Sequence, residues 1–142
     1  MLVRLLYASR AAEPTCHELL ETILLKSRTH NAENGITGIL CYTGGIFMQV
    51  LEGGRKEVST LYKTICCDAR HREVELLHFE EITERHFSGW TMGQVNLSKV
   101  NPSTLLKYSE RPGIDPFSLG GKVSMALLEE LIATAAIVGR SG

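Results

Sequence analysis

The sequence has almost no excess of charge of either sign. Its 142 residues carry a formal net charge of −1 with the histidines neutral, so no basic surface for nucleic acid or an anionic membrane is expected. Long apolar runs are also missing. Arg4 interrupts the opening run, and residues 125–138 contain two glutamates and fall short of the roughly 20 residues that cross a bilayer. We therefore expect a cytoplasmic protein without nucleic-acid or membrane partners.

The sequence also lacks the spacings that indicate metal sites or common catalytic sites. None of its four cysteines belongs to a C-x-x-C pair, so we expect reduced, mostly buried thiols and no metal; they are Cys16, Cys41, Cys66 and Cys67. No G-x-G-x-x-G, Walker A, G-x-S-x-G or H-E-x-x-H motif is present. His78 and Glu80 have the H-x-E spacing of zinc deaminases, but no P-C-x-x-C follows, which excludes that class.

The composition is that of one folded domain, with 44% hydrophobic and 22% charged residues. Periods of two and of 3.6 in the apolar positions distinguish strands from helices. Strands are predicted at residues 2–8, 36–42, 46–51, 74–82 and 90–97, and helices from a Thr15–Glu18 capping box to residues 29–31 and around residues 58–66. The order is βαββαβ with an extra fifth strand, which indicates an α+β, ferredoxin-like fold with two helices on one sheet face.

The remaining residues predict two more helices. Pro102 suits the first turn of a short helix, residues 115–121 are expected to form a loop, and a last helix is expected at residues 123–138. This last helix is apolar nearly all round, so we expect it to cover the second face of the sheet and also to meet a partner. On the fifth strand, Trp90, Met92 and Gln94 are expected to share one face.

One predicted strand contains a residue that its surroundings do not explain. Gln49 shares a strand face with Phe47 and Leu51, and a buried amide without partners costs on the order of 1–3 kcal/mol. Tyr7, Ser27 and Asn31 also stand at core-like positions. Two interpretations are open: a polar network satisfied within the core, or a site for a planar heteroaromatic ligand rich in carbonyl and ring-nitrogen acceptors.

Five motifs occur in order between residues 2 and 97 and read RLLYAS, RTHNAENGITGILCY, GIFMQVLEG, DARH and FSGWTMG. Together they resemble the motifs of the BLUF family, which senses blue light using flavin. NGITGILCY followed by F-x-Q-x-L-E-G is the most specific of these signals. The tail, with LLKYS and an apolar last helix, resembles the short stand-alone members of the PixD type.

The resemblance implies a flavin between the two helices on one face of the sheet. Tyr7 and Gln49 match the family's photoactive pair, and Trp90 and Met92 match the residues that relay the signal. The implied flavin-binding residues are Tyr7, Ile23, Ser27, His30, Asn31, Gln49, Asp68, Arg70 and His71. The family habit favours FAD, with FMN as the alternative, and no metal.

The implied function is that of a blue-light photoreceptor without enzymatic activity. Excitation moves an electron and then a proton from Tyr7, and the rearranged Gln49 amide alters a protein–protein contact or the oligomeric state. We expect a photosensor domain at residues 1–98, a helical extension for output or oligomerisation at residues 99–142, a homo-oligomer and a separate downstream protein. The alternatives are a flavin-dependent reductase and a flavin-free ferredoxin-like module that binds a small molecule.

Overall fold

The computed structural model describes residues 1–13, 17–134 and 137–139. Its elements follow the chain in the order that the sequence predicts, β1–α1–β2–β3–α2–β4–β5, and a short 3-10 helix (Leu97–Lys99) and two further α-helices come after them. They are β1 (Leu2–Ala11), α1 (His17–Asn34), β2 (Thr37–Thr43), β3 (Ile46–Gly54), α2 (Arg55–Cys66), β4 (His71–Ile82), β5 (Gly93–Asn96), α3 (Pro102–Leu106) and α4 (Pro116–Ala133).

The strands form one sheet in the order β4-β1-β3-β2-β5. All neighbouring strands are antiparallel except β2 and β5, which are parallel. The turn between β2 and β3 uses Gly44 and Gly45 at φ 51° and 79°, the left-handed conformation that a tight hairpin turn requires. The expected ferredoxin-like fold with a fifth strand is therefore confirmed.

The two faces of the sheet carry separate apolar clusters. On one face, α1 and α2 pack on β1 and β3, with Leu24 of α1 and Val58 of α2 in the same cluster as Leu51 of β3. On the other face, α4 packs its leucines, including Leu127 and Leu131, against the sheet. This arrangement confirms the expected placement of the C-terminal helices. It also means that the apolar side of α4 is covered within the chain.

Several element ends differ from the sequence-based expectation. α1 continues to Asn34 because Gly35, at φ 67°, is the first residue to adopt the left-handed conformation that ends a helix. β4 begins at His71, three residues earlier than expected, because the long β1 offers Ala11 as its pairing partner. The predicted capping residue Thr15 lies outside the described residues.

The last helix differs most from its prediction. α4 begins at Pro116, where Asp115 caps it by accepting a hydrogen bond from the Phe117 N–H at 3.1 Å. The expected loop at residues 115–121 is therefore helix, with a kink at Gly120, where φ is 78°. Gly121 allows α4 to pack closely on β4, because a Cβ at this position would lie 2.0 Å from the carbonyl oxygen of Leu77. The helix ends at Ala133, and Val138 lies outside it.

The fifth strand is shorter than expected, and its predicted face is wrong. β5 starts only at Gly93, because the three preceding carbonyls accept hydrogen bonds from outside a regular strand ladder. The donors to Trp90, Thr91 and Met92 are Gly38 N, Asn31 Nδ2 and Arg28 Nε. Because residues 90–92 are not regular strand, their side chains do not alternate between the two sheet faces as expected. Trp90 joins the α4 cluster, and Met92 joins the α1–α2 cluster.

The buried carboxylate of Glu52 on β3 forms an ion pair with β1 and also binds the segment between β4 and β5. Glu52 is fully buried, and its carboxylate accepts from Arg4 Nε at 2.8 Å, from Phe87 N at 2.7 Å and from His86 N at 3.1 Å. Arg4 also pairs with Glu80 at 2.5 Å. The carboxylate therefore anchors the loop that leads to Trp90 and Met92.

We expect Glu52→Gln to lower the free energy of unfolding by about 3 kcal/mol, because it leaves the buried Arg4 without its principal partner. Urea denaturation monitored by circular dichroism measures this loss. Glu81→Gln is the control, since the Arg55–Glu81 pair is exposed and should contribute less than about 1 kcal/mol. Equal losses in the two variants would contradict the assignment.

Candidate functional site

The sheet register brings the predicted photoactive pair together. Tyr7 on β1 and Gln49 on β3 are directly opposed partners, and Leu40 on β2 is the partner of Gln49 on its other side. Opposed residues project from the same face of an antiparallel sheet, so the phenol and the amide lie side by side. The Tyr7 hydroxyl donates a short hydrogen bond to Gln49 Oε1, and both side chains are buried.

Burial strongly raises the pKa of Tyr7, and the nearby negative charge of Asp68 adds to this effect. The phenol therefore keeps its proton throughout the physiological range and acts as a hydrogen-bond donor. Its proton cannot leave to solvent as an ordinary acid would, and Gln49 Oε1 is the acceptor already in contact with it.

The second polar atom of Gln49 points to the segment before β5. Gln49 Nε2 donates to the Met92 sulfur at 3.2 Å, and Met92 is fully buried. Trp90 packs in the cluster on the opposite face of the sheet. Of the two predicted relay residues, the structure thus brings Met92 to the amide and places Trp90 away from it.

A cavity of about 240 Å³ opens beside this pair, between α1, α2 and the sheet. It is lined by every residue that the sequence analysis named for the cofactor: Tyr7, Ile23, Ser27, His30, Asn31, Gln49, Asp68, Arg70 and His71. Apolar walls with a few polar groups are typical of sites for small molecules, and the volume lies just below the roughly 300–1,000 Å³ of common ligand pockets. A single planar ring system suits this space better than a whole dinucleotide.

Asn31 presents an unused acceptor to this region. The residue is buried near the end of α1, and its Nδ2 donates to the Thr91 carbonyl at 2.7 Å. None of the described residues donates to its buried Oδ1. Because an unpaired buried acceptor costs about 1–3 kcal/mol, a ligand N–H at this position would remove a penalty that the protein alone carries.

Asp68 and Arg70 form an ion pair among the lining residues. The Arg70 guanidinium donates to both carboxylate oxygens, from Nε at 3.0 Å and from Nη2 at 2.6 Å. These hydrogen bonds lower the pKa of Asp68 to about 2. The carboxylate is therefore charged throughout the physiological range and holds the arginine in a fixed position.

His71 contributes a neutral ring to the same wall. Its Nδ1 shares a 2.7 Å hydrogen bond with the fully buried Ser9 hydroxyl, and its ring centroid lies 5.2 Å from that of Phe47. Burial lowers the pKa of His71, which favours the uncharged imidazole at neutral pH. The wall near Tyr7 therefore carries no full positive charge from this histidine.

Some lining residues were not predicted as contacts: Lys26, Leu40, Phe47, Thr60, Leu61, Thr64 and Ile65. Leu40 and Phe47 could have been found from strand alternation, because they project on the same side of the sheet as Gln49. Lys26 had no signal in the sequence, since a lysine on an exposed helix face is common. Only the packing of α1 over the sheet turns it toward the cavity.

A larger cavity of about 830 Å³ lies in the C-terminal region, around the loop between α3 and α4. Its charged side chains include Lys107, which is paired with Glu130, and Asp115, which caps α4. None of its lining residues is among the described buried polar groups, so the smaller cavity is the better candidate site. In the described part of the chain there is no cluster of metal-ligating side chains.

The fold agrees with what comparisons with known proteins find. The model of the BLUF family, described as sensors of blue light using FAD, matches residues 2–93. The chain therefore belongs to the BLUF family.

Curated relatives include a photoactivated adenylate cyclase subunit beta of Euglena gracilis, 37% identical over 92 residues, or 64% of this chain and 11% of that protein. Another is the blue light- and temperature-regulated antirepressor BluF of Escherichia coli, 36% identical over 54% of this chain and 19% of that protein. This chain thus spans only a small part of the length of these relatives.

Solved structures of similar length match nearly the whole chain. The photo-activated state of BlsA is 32% identical and superposes with a TM-score of 0.84 over 96% of this chain and 98% of that one. The dark state of BlrB, a BLUF protein, is 34% identical with a TM-score of 0.78 over 94% and 96% of the two chains.

The described residues fit a flavin ring system on three counts. The cavity has apolar walls, and a buried amide oxygen of Asn31 lacks a donor. The Gln49 amide stands at the wall next to a phenol. A flavin offers ring carbonyls and a ring N–H, which complement a set of groups that can both donate and accept.

We expect Arg70→Gln to raise the pKa of Asp68 from about 2 toward its ordinary value of 3.8, because the guanidinium hydrogen bonds are its principal cause. Since the folded pKa is the lower one, the carboxylate stabilises the fold above about pH 4, and this contribution is lost as the pH falls toward 2. An NMR titration of the carboxyl carbon measures the shift. Arg72→Gln, on exposed Arg72, removes the same charge nearby and should leave the midpoint in place.

Proposed function

We propose that this protein is a blue-light photoreceptor that holds a flavin between α1 and α2. The observation that carries this proposal is the Tyr7–Gln49 hydrogen bond at the wall of a cavity into whose surroundings Asn31 presents an unpaired acceptor. This geometry, in a chain that belongs to a family of blue-light sensors, supports a photochemical role over a purely structural polar network.

In this proposal different lining residues contact the faces and the edge of the flavin ring. Ile23 and the apolar lining residues pack on its faces and exclude water, while Asn31 pairs with a carbonyl and an N–H at its edge. The polar groups Ser27, His30, Asp68, Arg70 and His71 complete the contacts. The ion pair between Asp68 and Arg70 keeps that part of the wall rigid.

Bound flavin supplies absorption of blue light and, once excited, a strong electron acceptor. Tyr7 is the donor that this site provides, since its phenol is buried, protonated and adjacent to the cavity. Among the described residues, Gln49 Oε1 accepts the hydrogen bond from this phenol, so loss of an electron from Tyr7 is coupled to a change at that amide.

In this proposal the arrangement of the Gln49 side chain differs before and after excitation. An amide has a donor end and an acceptor end, so rotation or a tautomer change exchanges what it offers to Tyr7, to Met92 and to the ring. A hydrogen bond gained at a ring carbonyl shifts the absorption to longer wavelength. The dry surroundings strengthen this hydrogen bond relative to one in water.

We further propose that the bound cofactor is FAD. The family description names FAD, and Lys26 at the cavity supplies a positive charge for a diphosphate tail that a cavity of about 240 Å³ would leave outside. FMN carries a single phosphate and would use less of this charge. Mass spectrometry of the cofactor released from the purified protein distinguishes the two.

We propose residues 1–98 as the photosensor domain and residues 99–142 as the output extension of a cytoplasmic regulator that acts through other proteins. No described helix is long and apolar enough to span a bilayer. Because the leucines of α4 are covered within the chain, the helix itself gives no reason for self-association. A light-dependent homo-oligomer and a separate partner protein are proposed from the family resemblance.

We expect Gln49→Leu to bind flavin but to lose the light-induced red shift, because leucine keeps the volume and removes both hydrogen-bonding atoms. Absorption spectra in the dark and under blue light measure the shift. Gln94→Leu is the matched control, since Gln94 lies in the same row across the sheet but outside the cavity. A normal shift in Gln49→Leu would refute the switch, whereas rapid oxidation of NADH by the wild type would favour a reductase.

We expect Asn31→Ala to weaken flavin binding by about tenfold or more, because a lost buried hydrogen bond costs about 1–3 kcal/mol and 1.4 kcal/mol is a factor of ten. Fluorescence titration of the flavin-free protein with flavin gives the two dissociation constants. Asn34→Ala, at an exposed site on the same helix, should bind as the wild type does. Equal affinities in all three proteins would show that the amide does not contact the ligand.

A further inference from the structure

The outer edge of β5 is covered by the chain's own C-terminal residues 137–139. The Gln94 N–H donates to the Val138 carbonyl and the Val138 N–H donates to the Gln94 carbonyl, both at 2.9 Å. This antiparallel bridge places a short extended segment on the strand edge that β2 leaves open. We call residues 137–139 the strap.

The strap fits its position through side chains as well as backbone. A Cβ built on Gly93 would lie 2.8 Å from Ile137 Cγ2 and 2.8 Å from Trp90 Cδ1, so Ile137 fills the space beside this glycine. Ile137 packs against the same apolar cluster as α4. Val138, in contrast, exposes 57% of its surface and is held by its backbone.

Arg28 connects the strap to the segment that contacts Gln49. Its Nε donates to the Met92 carbonyl at 3.2 Å. A Cβ on Gly139 would lie 2.9 Å from an Arg28 Nη atom and 3.7 Å from the Met92 oxygen. The guanidinium therefore lies beside both Met92 and the end of the strap.

These contacts form a continuous series from the proposed photoactive pair to the strap. Tyr7 bonds to Gln49, Gln49 Nε2 bonds to the Met92 sulfur, and Met92 is two residues before Gln94. We propose that the outer edge of β5 is a light-gated docking edge. The strap closes it in the dark and releases it in the light, exposing the backbone of Gln94 to an extended segment of a partner protein.

The direction of this coupling follows from the chemistry of the amide, and it rests on the proposed function. When the Gln49 amide rotates, its oxygen replaces Nε2 opposite the Met92 sulfur, and two acceptors then face each other. One of the two hydrogen bonds that position Met92 is lost, while that from Arg28 remains, and this loss weakens the strand edge two residues further on. Loss of one net hydrogen bond changes an opening equilibrium by about two- to tenfold. An uncovered strand edge pairs readily with another extended segment.

Amide hydrogen exchange followed by NMR on the flavin-loaded protein tests the proposal, in the dark and under continuous blue light. We expect the protection of the Gln94 and Val138 amides to fall about two- to tenfold on illumination. The Leu6 amide, within the central ladder of β1 and β3, should not change. Absorption spectra of the same samples report the photoreaction independently.

Two substitutions separate the strap from the photoreaction. Val138→Pro removes the N–H that bonds to Gln94, so the Gln94 amide should exchange rapidly already in the dark and respond no further to light, while the red shift persists. Val138→Ala keeps the N–H and should behave as the wild type. Unchanged Gln94 protection in a wild type that shows the red shift overturns the light-gated edge alone. Absence of any red shift overturns the photoreceptor proposal together with it.

Discussion

The Gln49 amide is the interaction on which the rest of this structure depends. Its oxygen accepts from Tyr7 and its nitrogen donates to Met92, so a single planar group joins β1, β3 and the segment before β5. Only 6% of the residue is exposed. A buried amide must find partners for both ends, and an amide that exchanges its ends must break one set of contacts to make another. This requirement makes the group suitable as a two-state element.

Helix α1 both lines the cavity and holds the segment before β5. One face lines the cavity, and the same turns supply the donors to the carbonyls of Thr91 and Met92. Asn31 takes part in both, since its amide nitrogen holds Thr91 while its oxygen remains available for a ligand. A change in the cavity is thus connected to the start of β5 by a helix side chain as well as by Gln49.

The relatives show how one sensor unit is used in different proteins. This chain covers 11% of the length of the photoactivated cyclase subunit but 98% of BlsA. The same unit thus recurs in proteins of very different length. In this chain the buried pair of Arg4 and Glu52 anchors the loop before Trp90, and the strap covers the outer edge of β5.

Element types, their order and many of the cavity residues, though not Lys26, were predictable from local patterns and motifs, because alternation, helical spacing and turn glycines act over a few residues. Tyr7, Asn31 and Gln49 could be identified in the same way as polar groups at apolar positions. The face of Trp90 and the pairing of Val138 with Gln94 could not. They follow from hydrogen bonds between residues far apart in the chain, such as Gly38 to Trp90 and Asn31 to Thr91, which form only after the sheet and α1 have packed together.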